Sequence, residues 1–154
     1  MRSFTRAFPR IVAAVAMLIP PVPGPVFRGF DATGPYSAGQ RGLSYSAPGG
    51  TVVVAPAGGR VSFSGTVAGR QWVTIEIGPA TPAVFLVTLG PMLERNVERN
   101  AVLRAGDQVG TAQGPTLLLT VRRNGEYIDP APLFAVRRHA RLIPMEQFEA
   151  QPLH

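Results

Sequence analysis

Apolar and polar residues alternate along much of this chain. Arg60-Val61-Ser62-Phe63-Ser64-Gly65-Thr66-Val67 has the two-residue period of a half-buried strand. A turn at Ala68-Gly69-Arg70 leads into Trp72-Val73-Thr74-Ile75-Glu76-Ile77, which is mostly β-branched and predicts a second strand. Ala83 to Leu89 is a more continuous apolar run and predicts a better-buried one. Val52 to Ala55 starts another strand, ended by the breaker series Pro56-Ala57-Gly58-Gly59. Residues 26–34 read as a short strand running into a turn, residues 35–50 as mostly loop, and residues 91–100 as a polar connection. Val102, Leu103, Gly106, Asp107, Val109 and Gly110 make a strand–turn–strand pattern, and Leu117 to Val121 is an apolar strand ended by Arg122 and Arg123. Asn124-Gly125 is a hairpin signal. Asp129-Pro130 places an N-cap before a proline suited to a first helical position, so residues 130–135 are expected to form a short helical turn.

Composition agrees with this pattern. The 154 residues suit one domain, and 17 Gly with 16 Pro disfavour long helices. A turn-rich all-β domain is the class implied. The chain has no cysteine, which removes disulfides and thiolate metal sites. All 15 basic residues are Arg, and without Lys no cofactor can be carried on a lysine amine. The formal charge is +6, but the Arg residues are scattered rather than set in a stripe, which argues against nucleic acid as a partner.

The N-terminus has the plan of a targeting segment. Arg2, Arg6 and Arg10 precede the apolar run Ile11 to Ile19, and Pro20, Pro21, Pro23 and Pro25 follow. The run is far shorter than the roughly 20 residues of a membrane span and fits a Sec-type secretory signal, with a cut near Gly24 or retention as an anchor. Residues 1–25 are therefore expected to be a signal peptide or N-terminal anchor, residues 26–135 the domain, and residues 136–154 a basic, polar tail. A secreted or cell-envelope location follows.

Several segments, in order, resemble the LytM-type, lysostaphin-like zinc peptidases of bacteria. Gln40-Arg41-Gly42-Leu43-Ser44 is similar to the family's first metal motif, His-Arg-Gly-x-Asp. Residues 47–61 are similar to its apolar hairpin, and Gly106-Asp107-Gln108-Val109-Gly110 to the turn before its last strands. Leu118-Leu119-Thr120-Val121-Arg122, followed by Tyr127-Ile128-Asp129-Pro130, is similar to its closing strand and cap. The resemblance implies a small antiparallel β-sandwich, or barrel-sandwich hybrid, with one short C-terminal helical turn. It also implies a groove where zinc cuts the peptide cross-links of peptidoglycan.

That chemistry needs neutral imidazole and carboxylate ligands around an open position. The resemblance puts Gln40 and Ser44 at the first two ligand positions, Leu118 at the third and Thr116 at the helper histidine. A further family histidine maps near Val87 or Thr88. The only histidines are His139 and His154, both in the tail, so no alignment restores the set. Zinc is expected to be lost and the domain to be an inactive relative that binds peptidoglycan or regulates a cell-wall hydrolase. Arg41, Trp72, Arg122 and Tyr127 are the candidate ligand contacts: arginines for carboxylates, aromatics for stacking. A peptidase with an unusual site and a barrel-sandwich adaptor of an envelope complex remain as alternatives.

Overall fold

The computed structural model describes residues 18–32, 38–77 and 84–134. The strands are β1 (Val26–Arg28), β2 (Leu43–Ser46), β3 (Val52–Val54), β4 (Gly59–Val67) and β5 (Arg70–Ile77), then β6 (Phe85–Arg95), β7 (Val102–Leu103), β8 (Gln108–Ala112), β9 (Thr116–Arg123) and β10 (Glu126–Ile128). They pair antiparallel in the order β1-β2-β9-β6-β5-β4-β7, with β10 beside β9 and β3 beside β8. The long β6 joins two parts of this sheet, pairing with β9 through Gly90 and with β8 from Met92 to Arg95. The all-β class and the single helical turn, at residues 131–134, are as the sequence implied.

Local chemistry explains the turns. Asn124 and Gly125 take φ of 50° and 89°, and Ala68 and Gly69 take 51° and 81°, the left-handed pair a two-residue hairpin needs. The Asp129 carboxylate accepts from the Ala131 amide at 3.0 Å, capping the helical turn.

Two segments depart from the sequence reading. Residues 43–46, expected as loop, are strand β2, because Leu43 and Tyr45 alternate with serines and β9 offers a full ladder from Leu43↔Leu119 to Ser46↔Thr116. Residues 91–95, expected as connection, continue β6. Pro91 is tolerated there because the register of β5 against β6 shifts beside it, between Gln71 and Val73.

The core lies on one face of the sheet. Val73, Leu89, Leu119 and Leu43 lie across adjacent strands in register, as do Ile75, Val87 and Val121, and all are buried. Val53, Val109, Ala112 and Leu103 from the other strands join the same cluster. Each fully buried Leu or Ile contributes about 1.5–3 kcal/mol in removing its apolar surface from water.

Packing also extends upstream of residue 26, where the domain was expected to begin. Leu18 and Val22 belong to the core, at 1% and 3% exposure. The Pro21 carbonyl accepts from Val54 N–H, and that of Pro25 from Ser46 N–H, both at 2.9 Å. The N-terminal run up to residue 17 and the tail from residue 136 lie outside the described residues. Among those described, no helix is long and apolar enough to cross a membrane.

Candidate functional site: an apolar groove at the former metal positions

The face of the sheet opposite the core carries the candidate site. Its floor is a row of threonines, with Thr74, Thr88 and Thr120 in register across β5, β6 and β9. The Thr74 and Thr88 hydroxyls hydrogen-bond at 2.8 Å. The neighbouring row is Gly90, Leu118 and Ser44. The three threonines and Leu118 floor a groove of about 660 Å³ whose walls include Phe63, Trp72 and Tyr127.

Two β-bulges decide which side chains reach it. In β4, Val61 pairs with Ile75 while Phe63 pairs with Thr74, so Ser62 and Phe63 together face one residue. The extra residue turns Phe63 out of the core face that Val61 occupies and onto the groove. In β6, Gly90 and Pro91 together face Trp72, between the pairs Gln71↔Met92 and Val73↔Leu89, and this sets Trp72 over Gly90. A Cβ at Gly90 would lie 2.4 Å from the indole Cε3, so only glycine leaves room for the ring.

The former metal positions divide between the groove and its surroundings. Leu118 lines the groove beside Trp72 and supplies hydrocarbon where a ligand was expected. Ser44 is opposite Leu118 on β2, 9% exposed, and its hydroxyl donates to Gln40 Oε1 at 2.9 Å. The Gln40 amide nitrogen donates to the Arg28 carbonyl at 3.0 Å and the Gly42 carbonyl at 2.9 Å. Gln40 N–H donates to the Asp31 carboxylate, and Asp31 N–H returns a bond to the Gln40 carbonyl at 3.0 Å. The side chain that the resemblance set at the first metal position is thus spent on nearby backbone carbonyls and Ser44. Thr116 pairs with Ser46, two rungs along the ladder from Ser44 and Leu118, and is not among the groove-lining residues. Of the two positions for the further histidine, Val87 is buried in the core and Thr88 is on the groove floor.

This donor set does not fit zinc. It consists of a carboxamide committed to backbone carbonyls, two hydroxyls and a leucine, with no imidazole, thiolate or carboxylate. Among the described residues, no group of three His, Cys, Asp or Glu could hold a metal ion.

Of the candidate ligand contacts, Trp72, Arg122 and Tyr127 meet in the groove, with the Arg122 guanidinium 6.0 Å from the Tyr127 ring centroid. Arg41 is half-buried, is not among the groove-lining residues and is engaged elsewhere. Arg123 lies 5.9 Å from the Phe85 ring, at the strand end. Sequence reasoning missed Phe63, Arg70 and the threonine row. The threonines sat at alternate positions to the core residues, which was the available signal. Phe63 had none, because the bulge is invisible in the alternation. Arg70 and Arg122 are the charged residues lining the groove, and no acid is among its lining residues, so its charge is positive.

Asp31, also unassigned from sequence, organises the loop of Gln40. The Gln40 amide, and then the Arg28 guanidinium at 3.3 Å, hold its carboxyl below the usual carboxylate range.

The comparisons with known proteins agree with this geometry. The model of peptidase family M23 matches residues 38–130. Among solved structures, Helicobacter pylori Csd3 is 19% identical with a TM-score of 0.64, covering 90% of this chain and 44% of that one. A putative peptidase M23 from Pseudomonas aeruginosa is 24% identical with a TM-score of 0.61, covering 85% and 60%. The catalytic domain of the antimicrobial peptidase lysostaphin from Staphylococcus simulans is 17% identical with a TM-score of 0.62, covering 73% and 92%. The chain thus spans about half the length of the first two proteins. No curated protein matches it by sequence.

Proposed function

The chain belongs to peptidase family M23, and on that premise we propose that it is a non-catalytic envelope protein that binds peptidoglycan through the groove or uses it to regulate a cell-wall hydrolase. The observation that carries this reading is Leu118 beside Trp72 on the groove floor. An apolar side chain takes the place of a ligand while the sheet that shaped the groove persists. A site that can neither hold zinc nor activate water retains only binding. Arg70 and Arg122 suit the carboxylates of wall peptides, and the aromatic walls suit their apolar side chains. Export to the envelope belongs to the same proposal and rests on Arg2, Arg6, Arg10 and the apolar run after them.

The test is co-sedimentation of the full chain with peptidoglycan sacculi across a salt series, beside a hydrolysis assay with zinc-loaded protein. Salt-resistant binding that weakens in Trp72→Ala, without hydrolysis, is the expected result. Binding that vanishes at modest salt would reduce to unspecific arginine attraction. In that case, stimulation of a cell-wall amidase by the chain is what would keep the regulatory arm. Hydrolysis abolished by a chelator would overturn the reading and return the protein to the active peptidases.

A further inference from the structure

We infer that residues 18–25 are a structural element of the folded domain, a strap that maturation leaves in place. This inference is independent of the ligand the groove takes. The sequence pattern alone assigns these residues to the end of an export segment, with a cut near Gly24. The structure uses them otherwise. Leu18 and Val22 are core residues at 1% and 3% exposure. Backbone bonds tie the strap to four separate parts of the fold. Leu18 N–H donates to the Leu133 carbonyl at 3.4 Å and Ile19 N–H to that of Pro56 at 2.9 Å. Val54 N–H donates to the Pro21 carbonyl and Ser46 N–H to that of Pro25, each at 2.9 Å. The strap backbone lies directly on β2, since a Cβ at Gly24 would come 2.0 Å from the Ser46 carbonyl oxygen.

The prolines fit this role. Pro20, Pro21, Pro23 and Pro25 have fixed φ and no N–H. They reduce the freedom lost when the strap docks, and they bring no donors that need partners. A cut near Gly24 would remove two core side chains and leave Val54 N–H without its acceptor. It would also uncover Leu43 and Tyr45, which line a cleft with the strap. The apolar run Ile11 to Ile19 is therefore divided in use. Its last two residues belong to the domain, and the whole run cannot lie in a bilayer while the domain is folded.

The experiment is export of the full chain by a secreting bacterial host, with the intact mass of the soluble envelope form measured. The expected first residue is Leu18 or one before it, the uncut chain included. A folded form beginning after Val22 would overturn the inference. A second measurement uses the full chain and does not depend on processing. Leu18→Ala and Val22→Ala are expected to lower the melting temperature, the leucine change by on the order of 10 °C, while exposed Pro23→Ala stays within about 2 °C. Core variants that melt with the wild type would equally overturn it. Failure of either core variant to fold, with Pro23→Ala folded, supports the strap.

Discussion

The two faces of the central sheet are built on alternate rungs of the same strands and carry opposite chemistry. On one, Val73, Leu89, Leu119 and Leu43 form a fully apolar row buried in the core. On the other, Thr74, Thr88, Thr120, Leu118 and Ser44 face the groove or its edge. The core face is packed with hydrocarbon across β5, β6, β9 and β2, whereas the groove face carries hydroxyls and a half-buried leucine. Close packing constrains the first, because a change of one methylene is felt throughout a filled core. The second borders solvent, where side chains can change with little cost to the fold. The fold can therefore be kept while the residues of the groove vary.

The largest expected effect comes from reversing the exchange. Gln40→His, Ser44→Asp, Thr116→His and Leu118→His together should give a chain that retains zinc through dialysis at one ion per molecule, read by elemental analysis. Ser44 and Leu118 are already direct partners across β2 and β9. A folded quadruple variant that holds no zinc would show that the correspondence with the family's ligands is misassigned.

A smaller effect contrasts adjacent residues of one strand. Leu119→Ala should cost about 2–5 kcal/mol in urea unfolding, since its side chain is fully buried. Leu118→Ala, half-buried on the groove, should cost about 1 kcal/mol or less and act on binding instead. Equal costs would break the distinction between the faces.

The smallest effects are pH dependences. Burial raises the Tyr45 phenol from its ordinary value of 10.0 to about 12. The unfolded chain then loses its proton first, so stability should fall as pH rises from 10 towards 12. Tyr45→Phe should flatten that decline in melting temperature. Asp31 runs the other way. Its pKa is lowered from 3.8, so its contribution is present above 3.8 and lost as pH falls below that value. The effect is small because the carboxylate is exposed.

Much of this protein was legible in its residues. Period-two alternation marked β4, β-branched content marked β5, Asn124-Gly125 marked the last hairpin, and Asp129-Pro130 marked the helical turn. The departure from the family's metal motifs was also readable, because both histidines lie in the tail. These features depend on residue identity and near neighbours along the chain. Tertiary structure decided the rest. Strand β2 looked like loop until β9 supplied its ladder. That Leu18 and Val22 pack into the core was not readable from the apolar run they close. Phe63 shares the alternation of Val61 yet faces the groove, because one extra residue in the ladder reverses the side-chain direction. Gln40 looked available to a ligand until the carbonyls of Arg28 and Gly42 claimed its amide. Alternation records which side chains can be buried, whereas pairing partners and ladder bulges determine which of them are and what each one meets.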